Sequence, residues 1–431
     1  MSLEGIAILF IALLFLLFTI GFEIGFAMCL IGFIGFACIV DVRAALNLLT
    51  LDFYNVFINY GFTVIPLFVL MGQIAFHAGI AKDLFSVAYR FIGHVPGGLA
   101  MATVAGAAAF GSVTGSATAT AATFASIAVP EMDRYGYSRD LSSGTVAAAG
   151  VLGCLIPPSV PLIIYGIIAE QSIAQLFLAT IIPGIFLAGA FVATISVWSK
   201  INPKQAPKGE RFTWKQRLGA LTSVIPVLSI FIVVMGGLMV GYFTPTEAGS
   251  VGTFAVLLVS LAKRDFKGFI KSVSESLYIA CMILVLLAGG TVLSHFFAVT
   301  KIPFIAGNWL LGLPFSREWV MMIIMFIYLI GGSFIEDMAF LILITPIFAP
   351  IVTKLGYDLI WFGIMVQGIT MIGIVLPPIA INVFVVSSVV KLPLSTVYRG
   401  AYPYMAVMGA WLIILLIFPQ ISLWLPNLLM K

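Results

Sequence analysis

Apolar residues follow one another without interruption for about 20 positions at a time, the length that carries a helix across a bilayer. Such runs fall near 3–20, 22–40, 60–81, 140–168 and 174–198, and again near 221–240, 246–262, 275–298, 358–388 and 396–418. Two further apolar stretches, near 98–129 and 318–350, carry small polar residues at their middle and read as re-entrant helical hairpins. A spanning barrel would show segments of about ten alternating residues instead. The pattern predicts an all-α polytopic membrane protein.

The order of elements in the first half recurs in the second. One ungapped register, 220 residues, aligns Gly21 with Gly241, Gly32 with Gly252, Gly111 with Gly331, Pro130 with Pro350 and Pro183 with Pro403. The pairs Pro157-Pro158 and Pro377-Pro378, and the dipeptides Gly136-Tyr137 and Gly356-Tyr357, share it. This is the signature of an internal duplication. The reading is repeat A over 1–199 (hairpin about 98–129, broken helix about 140–168), a basic linker over 200–217, and repeat B over 218–431 (hairpin about 318–350, broken helix about 358–388). Five spans per copy is an odd number, so the second copy should sit inverted in the membrane.

Composition fits a bilayer: 62% of the 431 residues are hydrophobic and 9% are charged, against about 25% charged in soluble domains. The run Leu3–Ile20 has no basic residue before it and reads as a retained span, not a signal peptide. Cys29, Cys38, Cys154 and Cys281 have no metal or disulfide spacing and read as core packing. His77, His94 and His295 have no partner at metal spacing.

Charge distribution tests the inverted topology. With the Lys200–Arg217 stretch cytoplasmic, that side holds Lys82, Arg90, Arg134, Arg139, six residues of the linker, Lys263, Arg264, Lys267, Lys271, Lys391 and Arg399, sixteen of the 21 basic residues. Arg43, Lys301, Arg317, Lys354 and Lys431 fall opposite. The positive-inside rule then places both termini in the periplasm.

Candidate chemistry lies where the apolar runs break. The first hairpin carries GSVTGSATAT from Gly111 to Thr120. Two half-helices meeting there would expose unpaired N–H groups and a positive dipole end to an anion, while Gly111, Ser112, Thr114 and Ser116 offer hydroxyls and carbonyls to Na+. Ser116 and Thr120 are candidate substrate contacts. The plain alternative is that these hydroxyls cap a helix break. The second hairpin is expected to break at Gly331-Gly332-Ser333, with Glu336 and Asp337 in the apolar run beyond. An ionisable side chain at the bilayer centre costs about 2.5–3.5 kcal/mol and normally faces a cavity or an ion. Ser333 and Glu336 also have capping-box spacing, which leaves Asp337 as the stronger candidate for ion or substrate. Gly332, Ser333, Glu336 and Asp337 form the second candidate ion set. Each Pro pair removes helical hydrogen bonds one turn back, near Gly153 and Gly373, whose carbonyls complete the two sets. Ser159 and Asn382, just beyond the prolines, are candidate substrate contacts. Glu247, in TPTEAG, is explained by capping, with a site role as the lesser reading.

Several segments together resemble a known family. GHVPGGLAM (Gly93–Met101), the GSVTGS tip, IPPSVPLIIYG (Ile156–Gly166) followed by SIAQLF and Pro183-Gly184, and TPTEAG (Thr244–Gly249) resemble the large membrane subunit of a tripartite ATP-independent periplasmic (TRAP) transporter, the DctM or SiaM type. The resemblance spans essentially the whole chain. It implies the inverted-hairpin fold of the ion-transporter superfamily, the bacterial inner membrane, and Na+-coupled uptake of an organic acid such as sialic acid, a C4-dicarboxylate or a 2-oxo acid. It further implies an elevator mechanism and two partners: a periplasmic substrate-binding protein (DctP/SiaP type) and a separate small four-helix membrane subunit (DctQ/SiaQ type). Nucleic acid is not among the expected partners. A stand-alone Na+:carboxylate symporter of the same superfamily is the rival reading, and a channel the more distant one. The chain has no HExxH motif, no Ser/His/Asp grouping and no Gly-Lys phosphate loop, so an enzyme or ATPase is not expected.

Overall fold

The computed structural model describes residues 3–262 and 266–430; among these the regular secondary structure is helical, with one isolated antiparallel bridge between Pro96 and Lys208. Lys263, Arg264 and Lys431 of the charge count lie outside the described residues. The first half comprises α1 (Leu3–Ile20), α2 (Ile24–Ile39), α3 (Val42–Ile58), α4 (Val64–His77), α5 (Ile80–Ile92), α6 (Gly98–Thr114), α7 (Ala117–Arg134), α8 (Arg139–Ala149), α9 (Leu152–Leu155), α10 (Val160–Ile168) and α11 (Ile173–Ile201). After α12 (Trp214–Leu221) come α13 (Ile225–Met239), α14 (Pro245–Ala262), α15 (Phe266–Thr300), α16 (Ile302–Leu311), α17 (Arg317–Phe334), α18 (Asp337–Lys354), α19 (Leu359–Gly373), α20 (Ile381–Val390), α21 (Leu394–Ile417) and α22 (Gln420–Leu429).

Helix boundaries recur at the 220-residue spacing. The starts of α6, α7 and α8 shifted by 220 fall at 318, 337 and 359, where α17, α18 and α19 begin at 317, 337 and 359. Gly21 and Gly241 adopt left-handed φ of 84° and 80°, and Gly136 and Gly356 do so at 78° and 80°. Both Pro-Pro bonds are cis.

One departure is large. The first half interrupts α3 and α4 with a 3-10 turn over Tyr60–Thr63, whereas the corresponding residues of the second run as the single 35-residue α15. At 1.5 Å per residue α15 is about 52 Å long, well beyond a hydrocarbon core of about 30 Å. The apolar runs predicted only 275–298 of it and nothing over 42–58, because Arg43, Asn47, Asp52 and Asn55 dilute α3. The same dilution hid α5, an amphipathic helix that buries Ile80, Leu84, Phe85 and Val87 and keeps Lys82 exposed.

Two groups of helices emerge from the packing. In the first, α2 packs on α15 and α14 on α4, a reciprocal exchange of equivalent elements between the halves. Small residues bring these backbones together. A Cβ at Gly32 would lie 2.6 Å from the Leu293 nitrogen, and one at its mate Gly252 would lie 2.6 Å from Met71 Sδ. Thr253 Oγ1 donates to Leu67 O at 2.8 Å across the same contact. The second group pairs α8 with α21, α7 with α20, and α10 with α18 and α19. Its interior holds the fully buried Tyr165, Tyr328, Trp361, Tyr404 and Trp411. Thr145 and the Tyr404 hydroxyl meet at 2.6 Å within it.

The outer face is apolar, with Phe15, Phe26, Ile232 and Phe254 exposed. Among the described residues seven helices are long and apolar enough to cross a membrane, or nine if the bent pairs α8–α10 (42°) and α12–α13 (52°) each count as one. Of the cysteines expected in the core, Cys154 is buried and Cys29 half-buried, but Cys38 and Cys281 face outward, where lipid is an equally apolar surrounding.

The basic linker is hydrogen-bonded to the first half. Gly97 N–H donates to Ala206 O (3.1 Å), Gly209 N–H to Gly93 O (2.8 Å) and Ser138 N–H to Gln205 O (3.0 Å). Tyr89 OH donates to Tyr135 OH at 2.6 Å, and Tyr135 OH to Glu210 Oε1 at 3.1 Å. Residues 205–210 therefore strap the base of the first hairpin.

Candidate functional site

Four broken elements meet inside the second group. The first hairpin turns at Gly115, in the left-handed region at φ 60°, and Ser116 caps α7 by accepting from Ala119 N–H at 3.3 Å. The site residues cluster here by backbone contact. A Cβ at Gly111 would lie 2.6 Å from Gly153 Cα, one at Gly115 2.8 Å from Pro158 O, and one at Gly153 2.6 Å from Ser116 O. Only glycine permits this approach of the tip to the α9 break. Pro157 supplies no N–H to Gly153 O, which is thus left without its helical partner at that contact.

The hydroxyls divide in role. Ser112 Oγ donates to Ala109 O (2.7 Å) and Thr114 Oγ1 to Phe110 O (3.2 Å), both within α6. Thr120 Oγ1, fully buried, donates to Ser116 O at 2.7 Å and lies 3.3 Å from Thr114 Oγ1. Their oxygens keep lone pairs for a further partner.

The second hairpin turns just beyond its Gly-Gly-Ser sequence, at Ile335 and Glu336. Gly331, Gly332 and Ser333 lie in the last turn of α17. The capping-box assignment is corrected accordingly. Ser333 Oγ donates back to Leu329 O at 2.7 Å, and Glu336 is itself the N-cap of α18, its carboxylate accepting from Ala339 N–H at 2.8 Å. Ser116 and Glu336 are 220 residues apart, so one position caps the inner helix of both hairpins, by hydroxyl in one and carboxylate in the other. The glycines serve packing: a Cβ at Gly331 would overlap the Phe340 ring, and one at Gly373 would lie 2.8 Å from Gly332 O. Asp337 is half-buried at the first position of α18.

Ser159 and Asn382 are fully buried in this body. Asn382 Nδ2 donates to Ala147 O at 3.2 Å, bridging α20 to α8, while its Oδ1 and the Ser159 hydroxyl have no hydrogen-bond partner among the described residues. Glu247 lies elsewhere, on α14, where Thr244 N–H donates to it at 2.8 Å and Glu247 N–H donates to Thr244 Oγ1 at 3.3 Å, a complete capping box.

Other residues here carry no spacing signal. Gln367 is fully buried on α19 and donates to Cys154 Sγ at 3.3 Å, tying the two broken helices together. The histidines have polar partners, His77 with Glu275 (2.9 Å), His295 with Asp52 (3.3 Å) and His94 with Arg217 (3.5 Å). Between the first tip and the other helical group lies a cavity of about 60 Å³, bounded by Thr114, Gly115 and Ser116 on one side, Gly72 and Gln73 of α4 on the other, and Met338 of α18.

Paired hairpins whose tips abut broken helices inside a multi-pass bundle define a membrane permease. The particular family follows from comparison: the chain belongs to the tripartite ATP-independent periplasmic transporters, DctM component, whose family model matches residues 11–421. It is 33% identical over 372 residues to the C4-dicarboxylate TRAP transporter large permease protein DctM of Pseudomonas aeruginosa, covering 86% of this chain and 87% of that one. It is 31% identical over 374 residues to the sialic acid TRAP transporter large permease protein SiaM of Vibrio cholerae, again covering 86% and 87%. The crystal structure of the Alcanivorax borkumensis YdaH transporter shares the fold, with a TM-score of 0.62 over 88% of each chain at 13% identity. The chain is thus a multi-pass TRAP transporter large permease subunit.

Proposed function

We propose that this permease imports an organic acid by Na+ symport, with the second helical group carrying the substrate as one body against the first. The observation that carries the reading is the backbone contact of each hairpin tip with a helix break, Gly111 with Gly153 and Gly332 with Gly373. Hydroxyl, carboxylate and carbonyl oxygens gathered at broken helices suit a hard monovalent cation, and the dipole end of α7 at Ser116 suits an anion. One ion would use Gly111, Ser112, Thr114, Ser116 and Gly153, the other Gly332, Ser333, Glu336, Asp337 and Gly373. The carboxylate substrate would lie at Ser116 in the adjoining cavity, with Thr120 buried behind it and donating to Ser116 O.

Relatives named for C4-dicarboxylate, sialic acid and 2,3-diketo-L-gulonate support a carboxylate as cargo. A relative printed as a fused DctMQ permease supports a small membrane subunit as partner, and family membership supports a periplasmic binding protein. The reciprocal pairing of α2 with α15 and α14 with α4 supports an inverted repeat, with both termini periplasmic in the inner membrane. The test is uptake in proteoliposomes holding this chain and its small subunit, with Na+ gradient and binding protein each present or absent. Accumulation should need both; uptake that needs Na+ but ignores the binding protein would favour a stand-alone symporter.

A further inference from the structure

The cavity beneath the first tip has two walls of different character. The carrying body contributes Thr114, Gly115 and Ser116, with hydroxyls and the N-terminus of α7. The opposing group contributes Val69, Gly72, Gln73 and Phe76 of α4 and Ile279 and Ile283 of α15. Gln73 is the one polar side chain in that second wall. We propose that Gln73 is a specificity-determining contact through which the stationary group of helices recognises the carboxylate or hydroxyl oxygens of the substrate, an assignment that rests on the transport reading above.

Three observations support it. First, α4 touches the tip with nothing between, since a Cβ at Gly72 would lie 2.7 Å from Thr114 O. Gln73, the next residue, therefore stands beside the point where tip and scaffold part. Second, its backbone is fixed and its side chain is not: Gln73 O accepts from Ser272 Oγ at 3.1 Å, while its amide makes no hydrogen bond among the described residues and is half-buried. Met or Leu would fill the same space without hydrogen-bonding groups. What the residue adds is two N–H donors and an acceptor. Third, no Arg or Lys lines the cavity, so an anion there must be met by neutral donors, which are the first-turn N–H groups of α7 on the moving side and Gln73 on the fixed side.

At about 60 Å³ the cavity holds only a few waters. A four-carbon acid fits only when the tip withdraws from α4, and Gln73 is the polar scaffold group it then meets. Being on the stationary side, this contact exists while the site faces α4 and is lost as the body moves. It should set apparent substrate affinity and selectivity and leave ion binding alone.

The experiment compares Gln73→Met, similar in volume and without donors, and Gln73→Glu, similar in shape but negative, in the full transporter reconstituted with both partners. Uptake of a C4-dicarboxylate and of sialic acid is measured against substrate concentration, and Na+ half-saturation is read at saturating substrate. For the acid the wild type accumulates, Gln73→Met should raise half-saturation about tenfold, the loss of one hydrogen bond, and Gln73→Glu should raise it further. The preference between the two acids should change in both variants, while Na+ half-saturation stays within about twofold of wild type. Wild-type half-saturation and preference in both variants, beside Na+-dependent wild-type uptake, would overturn the assignment of Gln73. Na+ half-saturation rising in step with that of substrate would overturn it as well, by making the residue a structural support of the tip. Na+-independent wild-type uptake would instead overturn the transport reading beneath it.

Discussion

Replacing Gly153 by alanine tests whether the tip-to-break contact is an ion site. An added Cβ would stand 2.6 Å from Ser116 O and would also meet the Thr120 side chain. Ordinary contact begins near 3.4 Å, so the tip must retreat by about 0.8 Å (3.4 − 2.6) or the break must open. The neighbour is backbone at a helix cap and cannot swing aside. Overpacking of this kind costs about 1–3 kcal/mol. If that strain opposes ion binding, Na+ affinity falls roughly 5- to 150-fold, at about tenfold per 1.4 kcal/mol. The assay is thermal unfolding in detergent across a Na+ titration, where a bound ion raises the midpoint in proportion to ln(1 + [Na+]/Kd). Wild type should show a Na+-dependent rise that Gly153→Ala shifts to higher Na+. Gly189→Ala, where nothing lies within 4 Å of the added Cβ, should behave as wild type. A folded Gly153→Ala protein with an unshifted Na+ curve would refute the reasoning and leave the contact as packing alone.

Further expectations follow from the same geometry. Ser116→Ala removes a cap worth about 1 kcal/mol and should lower Na+-dependent uptake without loss of membrane expression, and Asp337→Ala should do the same; wild-type coupling in both would return these positions to structural roles. Tyr404→Phe leaves the buried Thr145 hydroxyl without its 2.6 Å partner and should destabilise by about 1–3 kcal/mol, read as a lower unfolding midpoint with Na+ affinity unchanged. A cysteine introduced at Lys215, on the exposed start of α12, should react with a membrane-impermeant thiol reagent only from the cytoplasmic side; reaction from outside would reverse the topology.

Much of this architecture was legible because a bilayer demands long apolar runs, and because duplication repeats its own punctuation. The helix breaks within 98–129, 140–168, 318–350 and 358–388 follow from that logic, whereas the contacts of Gly111 with Gly153 and of Gly332 with Gly373 come from the structure alone. Three further things escaped it. Helices α3 and α5 carry charge at intervals and offer no continuous run. At the second tip, the glycines suggest a break but serve close packing against Phe340 and α19, and the cap at Glu336 makes the turn. Finally, Gln73 and Gln367 are single polar residues in apolar helices, with no spacing to mark them; only the cavity and Cys154 beside them distinguish their surroundings.

The most direct test of the central claim is equilibrium binding of radioactive Na+ to the purified permease. Wild type should bind Na+ saturably, Gly153→Ala and Gly373→Ala should each weaken part of that binding, and the double variant should retain almost none. Binding by the folded double variant equal to that of wild type would contradict the assignment of the coupling ions to the junctions of hairpin tip and broken helix.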